Sequence, residues 1–347
     1  MSIPYRTKRN LRRLFISVLA LVLFLVLALL CWVLWLNRYV VYSQDGAKID
    51  FNQSVHYAPG IVPVPPKPSP TVTVHDKAEE QIQEEILSTA LSQFQGSYVT
   101  ATQLMEHFPQ VRDRLATLPK GSTIVLELKD VRSYGLYSSE YVAPMKDFDI
   151  SQVDTLVNEL QKKGHYVVAM IPSFQEYYYI LENEAERVPY GLPKTGGNGS
   201  LWLDRSGPCY WMNPASDGTL THLIQLISEL RGLGFDEVVL GNFHFPDTDQ
   251  IFFEGDKMEV LNETASTLVK TCATDKFCVS FVRSTADLTL PKGRTRLYLT
   301  GVSAANADTE AAKTGLADPA AQVVFITELS DTRYEVFSVL RPIRTED

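Results

Sequence analysis

Cysteine and histidine are scarce in this chain, four and six among 347 residues. Their positions match no zinc spacing, so no metal is expected, and no other cofactor either. A phosphate-binding glycine loop is missing as well. GLPKTGGNGS (191–200) neither follows a strand nor opens a helix, and reads as a loop tip. Five basic residues cluster at the start: Arg6, Lys8, Arg9, Arg12 and Arg13. Setting those five aside takes the net charge from −9 to −14 for residues 14–347. An acidic chain without a basic aromatic surface is a poor nucleic-acid binder, and none is expected as a partner.

Charge is absent altogether from LFISVLALVLFLVLALLCWVLWL, residues 14–36. As a helix this run is roughly 34 Å long at 1.5 Å per residue, enough to cross a hydrocarbon core of about 30 Å. It is too long for a secretory signal, and CWVLWLN is a poor cleavage site. The basic residues before it place the N-terminus in the cytoplasm and everything after residue 37 outside. Cys31 lies in this run. Cys209, Cys272 and Cys278 then face an oxidising side, where Cys272 and Cys278 either bridge or serve as small buried residues.

The expected organisation follows in order. A cytoplasmic basic tail (1–13) and a transmembrane helix (14–36) come first. A short extracellular β segment (37–57) carries YVVYSQDGAKIDF, which alternates like a strand pair around Asp45-Gly46. A proline-rich spacer (58–75) includes APGIVPVPPKPSP, with six prolines in thirteen residues, and should be stiff polyproline II. Residues 76–347 form the globular part, opened by a polar helical stretch at 77–93.

From Gly96 onward, apolar runs of strand length recur at 97–101, 122–128, 166–171, 237–243, 277–282, 296–301 and 322–329. Helical periods separate several of them. Ile150, Val153, Leu156, Val157 and Leu160 share one face, with Ser151 and Asp154 as a capping pair and Gly164 as the stop. Leu220, Leu223, Ile224, Ile227 and Leu230 repeat the pattern, and Asp256 with Glu259 opens a third helix. Continuous apolar strands alternating with amphipathic helices imply a parallel sheet covered by helices. Seven such strands favour a (β/α)8-type TIM barrel over a three-layer sandwich, the alternative that the same periodicity allows. The tail QVVFITELSDTRYEVFSVLRP has only a Ser330-Asp331-Thr332 turn before its last apolar run. It predicts a final hairpin, hence a barrel incomplete or distorted at the C-terminus.

Five blocks in one order carry a resemblance: GSYVTA (96–101), VLELKD (125–130), KKGHYVVAMI (162–171), SLWLDRSGPCYWMNP (200–214) and GFDEVVLGNFHFP (234–246). Together they resemble a glycoside-hydrolase-like domain family of bacterial surface proteins, a barrel group distantly similar to α-amylase-type hydrolases. That family usually carries I-D-V-K-D-D and, later, F-D-Y-I-R-F-P. Here the first pattern keeps Lys129-Asp130 and loses the following acid to Val131. In the second, Gly241 stands where the family has Asp, and His244 where it has Arg. By analogy with amylase-type barrels that Asp is the nucleophile, so the resemblance implies a strand-4 carboxylate that is missing.

Most glycosidases use two carboxylates, and barrel chemistry sits at the C-terminal ends of strands. Asp130 and Glu328 are the catalytic candidates by position, with Asp331, Asp247 and Asp249 behind them. Glu127 is expected inside its strand, partnered by Lys129 or Arg296. Lys129, Asn242, His244 and Asp247 are candidate sugar contacts. So are Trp202 and Trp211, as flat faces for sugar C–H surfaces, and Asp204 and Arg205, as hydroxyl partners. The expected protein is a single-pass membrane protein with an extracellular barrel. It binds cell-wall or capsule polysaccharide, and either hydrolyses it or acts as a pseudoenzyme. A different class fits the same tail, span and stem: a type II membrane glycosyltransferase whose Asp247 and Asp249 hold a metal, with sequons at Asn52, Asn198 and Asn262. The third class is a non-catalytic envelope interaction protein.

Overall fold

The computed structural model describes residues 40–43, 46–49, 91–183, 187–188, 204, 209–248, 251, 253 and 255–344. The chain divides into two units, residues 1–74 and 75–347. Within the first, Val40–Ser43 and Gly46–Ile49 pair as an antiparallel hairpin. The apolar run 14–36, the proline-rich stretch and the polar stretch 77–93 before residue 91 lie outside the described residues. Among the described residues no helix is long and apolar enough to cross a membrane.

The second unit is a closed barrel of eight parallel strands. In chain order they are β1 (Gln95–Val99), β2 (Thr123–Glu127), β3 (Tyr166–Pro172), β4 (Glu237–Gly241), β5 (Cys278–Arg283), β6 (Leu297–Thr300), β7 (Val323–Ile326) and β8 (Ser338–Pro342). Each pairs with its neighbours in sequence, and β8 closes on β1. Side chains alternate between two apolar populations. Val125, Val168, Val239, Val282, Val324 and Leu340 pack together as one cluster inside the barrel. Their neighbours Leu126, Val167, Leu240, Phe281, Phe325 and Val339 belong to the larger cluster under the helices. Strands buried on both faces read as unbroken apolar runs, which is why the sequence shows no period of two.

The main helices are α1 (Phe108–Ala116), α2 (Ser151–Lys162), α3 (Asp217–Gly232), α4 (Lys257–Cys272) and α5 (Ala307–Lys313). α2 buries Val153, Leu156, Val157 and Leu160, and Gly164 at φ +75° ends it. The expected capping pair is different. Asp149 accepts from the Ser151 backbone N–H (3.1 Å) and hydroxyl (2.6 Å), whereas Asp154 reaches back to Ser138. Asp256 caps α4, accepting from Met258 and Glu259 N–H.

The expected C-terminal hairpin is wrong. β7 and β8 run parallel, with Val324 opposite Ser338 and Ile326 opposite Leu340, and the barrel is complete. The crossover needs no helix because tight turns carry it: Tyr334 N–H bonds Asp331 O, Glu335 bonds Thr332 O and Phe337 bonds Tyr334 O. Two aromatics cover β7 in the helix's place. Tyr334 and Phe337 lie 5.4 and 5.3 Å from the Phe325 ring, and the Tyr334 hydroxyl donates to Val302 O at 2.6 Å. Cys209, Cys272 and Cys278 are buried and unbridged.

Candidate functional site

The C-terminal ends of the strands surround a cavity of about 440 Å³. Its polar lining is Tyr98, Glu127, Lys129, Asp130, Asn242 and Thr300. Met170, Ile171, Pro172, Val282 and Ile326 supply apolar wall. Glu127 is there because β2 alternates: Val125 points into the barrel, so Glu127, two residues on, does too. Its two oxygens accept from the Tyr98 hydroxyl and from Ala101 N–H, the latter at 2.8 Å. Burial, and then the Glu127 charge, push the Tyr98 hydroxyl far above the usual tyrosine range, so it remains a donor. The expected partners of Glu127 are therefore corrected: Lys129 pairs with Glu176, and Arg296 with Glu237 at the opposite end of the barrel.

Asp130 lines the cavity but its carboxylate also builds a turn. It accepts from Arg132 N–H (3.0 Å), Tyr134 N–H (2.9 Å) and the Arg132 guanidinium (2.8 Å). Lys129 and Glu176 form an ion pair with both side chains 1% exposed. The Glu176 carboxylate also takes a bond from the Ser133 hydroxyl and faces His222 Nε2 at 3.5 Å. Burial raises the pKa of Glu176, but Lys129 and His222 more than offset that, and the net direction is downward. A smaller cavity of about 150 Å³ lies beside this cluster, walled by Tyr141, Tyr178 and Tyr179.

Gly241 ends β4 with its backbone outside the left-handed region. A Cβ built there meets only Ile171 O, at 3.5 Å. Nothing in the backbone or the packing requires glycine, so the cavity has room for a side chain where the resemblance implies an acid. Asn242 follows at φ +53°, which asparagine tolerates better than most residues. Its amide donates to Gln175 Oε1. Ser173 fixes the same corner, donating to Gly241 O (2.8 Å) and Asn242 O (2.9 Å).

The sequence-derived candidates thus separate into groups. Lys129, Asp130 and Asn242 line one cavity. His244 does not line it; its Nδ1 lies 2.6 Å from Phe245 O and its ring 5.2 Å from Trp211. Trp211 is 4% exposed and donates its indole N–H to Asp204 at 3.0 Å, so this pair packs the loop. Glu328 and Asp247 are exposed and outside the cavity lining. Asp331 is bound by Arg333 at 2.6 Å, a hydrogen bond that pulls its pKa down to about 2. Trp202, Arg205 and Asp249 lie outside the described residues. Among the described residues no cluster of three or more His, Cys, Asp or Glu side chains is arranged to hold a metal ion. Glu176 and His222 escaped the sequence reading, since neither sits at the end of a recognisable strand.

A family model described as "Putative glycosyl hydrolase domain" matches residues 96–284, more than half of the chain. The chain belongs to this family. Solved structures of similar fold include the glycoside hydrolase domain of PelA from Pseudomonas aeruginosa, at 16% identity and TM-score 0.44, covering 72% of this chain and 95% of that one. The α-galactosidase TtGalA from Thermus thermophilus gives 11%, 0.46, 74% and 61%. A hypothetical protein from Ruminiclostridium thermocellum gives 18%, 0.44, 53% and 96%. No curated protein matches the chain.

Proposed function

We propose that this member of the glycosyl hydrolase family holds cell-surface polysaccharide in the barrel-mouth cavity and does not cleave it. Residues 14–36 anchor it in the cell membrane with the N-terminus in the cytoplasm, and the proline-rich stem carries the barrel outside. One observation supports binding over hydrolysis: β4 ends in Gly241, which lines the same cavity as Glu127, so the acid that the resemblance implies there is missing. A retaining mechanism places two carboxyl groups roughly 5 Å apart and an inverting one roughly 6.5–9.5 Å apart. The cavity's other carboxylate, Asp130, is already occupied by Arg132 and two backbone N–H groups. Removing one member of a cooperating catalytic set costs orders of magnitude in rate.

The test uses the full-length chain in detergent against a panel of wall and capsule polysaccharides. The expected result is retention of at least one polymer with no release of reducing ends. Asn242→Ala should weaken retention. Release of reducing ends by the wild type, abolished in Asp130→Asn or Glu127→Gln, would establish hydrolysis instead. Retention of no polymer, with crosslinking to envelope proteins, would make it an interaction protein. Turnover of a sugar nucleotide in manganese would make it a transferase.

A further inference from the structure

The acids around the barrel mouth differ in how their charge is balanced. Asp130 has Arg132, and Glu176 has Lys129. Glu127 is held by two neutral donors, the Tyr98 hydroxyl and the Ala101 N–H. Among the described residues no basic side chain pairs with it. Lys129 lines the same cavity, but its ammonium is 1% exposed and committed to Glu176, so that pair is neutral as a unit. The cavity therefore presents one uncompensated negative charge among the apolar walls of Met170, Ile171, Pro172, Val282 and Ile326. A carboxylate without a counter-charge beside such a cavity attracts a cation. At about 440 Å³ the cavity is of ligand-binding size.

We infer that the mouth selects amine-bearing sugars, with Glu127 receiving the ammonium of a de-N-acetylated amino-sugar residue. The inference rests on the polysaccharide reading above and narrows it. A uronic acid brings a second negative charge against Glu127. An N-acetylated residue brings no charge and adds an acyl group that the cavity must house. An ammonium supplies both charge and donors to the two oxygens, while the sugar's C–H faces lie on the apolar wall.

The probe is one polymer in two charge states: chitosan, and the same chitosan re-N-acetylated with acetic anhydride. The full-length chain in detergent is titrated against both. The net charge of −9 attracts any polycation, so the decision rests on Glu127→Gln rather than on retention alone. The wild type should bind the untreated polymer at least roughly tenfold more tightly, a difference of about 1.4 kcal/mol. Glu127→Gln should erase that preference by weakening chitosan binding only. Glu127→Asp, which keeps the charge, should retain the preference and serves if the Gln variant fails to fold. The preference should also shrink as salt rises, because it is electrostatic. Equal binding of both polymers by the wild type, or a preference unchanged in Glu127→Gln, overturns the inference. If neither chitosan form binds but another polysaccharide of the panel is retained, only the amine inference fails. If nothing in the panel binds, the polysaccharide reading falls with it.

Discussion

The barrel's closed end offers a quantitative test of the fold. Glu237 and Arg296 are 0% and 2% exposed and form an ion pair at the N-terminal ends of β4 and β6. Tyr166 and Tyr298 hydroxyls donate to Glu237 at 3.0 and 3.1 Å. Arg296 donates to Ala321 O (3.0 Å) and Ser92 O (3.2 Å), with its guanidinium 5.1 Å from the Phe94 ring and 5.6 Å from the Tyr166 ring. Burial alone would weaken the charged guanidinium, yet Glu237 holds its pKa well above the ordinary value. Glu237→Gln keeps the shape and removes the counter-charge. Breaking a buried pair on one side costs about 3–5 kcal/mol, because a charge is left uncompensated in the interior. With a urea m-value of roughly 3 kcal/mol per M, the unfolding midpoint should fall by about 1–1.7 M. Replacing both members by apolar residues, Glu237→Leu with Arg296→Met, should cost much less than the sum of the single variants, since no lone charge remains. Urea unfolding followed by tryptophan fluorescence measures all five species: the wild type, Glu237→Gln, Glu237→Leu, Arg296→Met and the double variant. A loss below about 1 kcal/mol in Glu237→Gln, or strict additivity in the double variant, would refute the reasoning.

Three further outcomes are expected. Gly241→Asp should fold within about 1 kcal/mol of the wild type, since glycine is not required there; with Glu127 lining the same cavity, it should release reducing ends at a rate above the wild type, measured on a polymer the wild type retains. Tyr334→Ala should cost about 3–5 kcal/mol in urea unfolding, because it empties the aromatic cover of β7 and removes the bond to Val302 O. Glu176 has a folded pKa below its unfolded value of roughly 4.3. Its contribution is therefore present above about pH 4.3 and lost as pH falls through the folded value; unfolding measured at several pH values from 7 to 3 should show an acid loss that is smaller in Glu176→Gln.

Most of the barrel was legible because each strand is an apolar run set off by helical periods. Its interior was not. With both faces of a strand apolar, Val125 and Leu126 look alike, and polar intruders such as Glu127 and Glu237 mark the inward face. The last crossover failed for a related reason. A parallel connection normally announces itself by an amphipathic helix, and here Tyr334 and Phe337, three residues apart on tight turns, do the covering instead. No periodic signal distinguishes that from a hairpin.

The site divided along the same line between local and long-range information. Lys129, Asp130 and Asn242 follow directly on strands β2 and β4, so strand prediction alone carried them to the cavity. Glu176 lies beyond β3 on a two-residue pairing of Gln175 with Trp211 and Glu176 with Tyr210. Its partners Lys129 and His222 are 47 and 46 residues away in the chain. Trp211 was ambiguous in sequence, since an indole serves equally as a sugar platform or as packing. Its N–H bond to Asp204 and its burial decide for packing.

The two ends of this barrel solve the same electrostatic problem differently. At the closed end, Glu237 meets Arg296 and two tyrosine hydroxyls, so its charge is balanced inside the protein. At the open end, Glu127 has the same residue type and an analogous tyrosine, but among the described residues its only other partner is a backbone N–H. An interior acid without a counter-charge is costly unless water or a ligand supplies what the fold withholds. Glu237 at the closed end is 0% exposed, while the open end keeps a cavity against the acid. Gly241 widens that cavity at a point where the backbone accepts a side chain. The open end is thus built to leave Glu127 available to something from outside, whereas the closed end holds the barrel together.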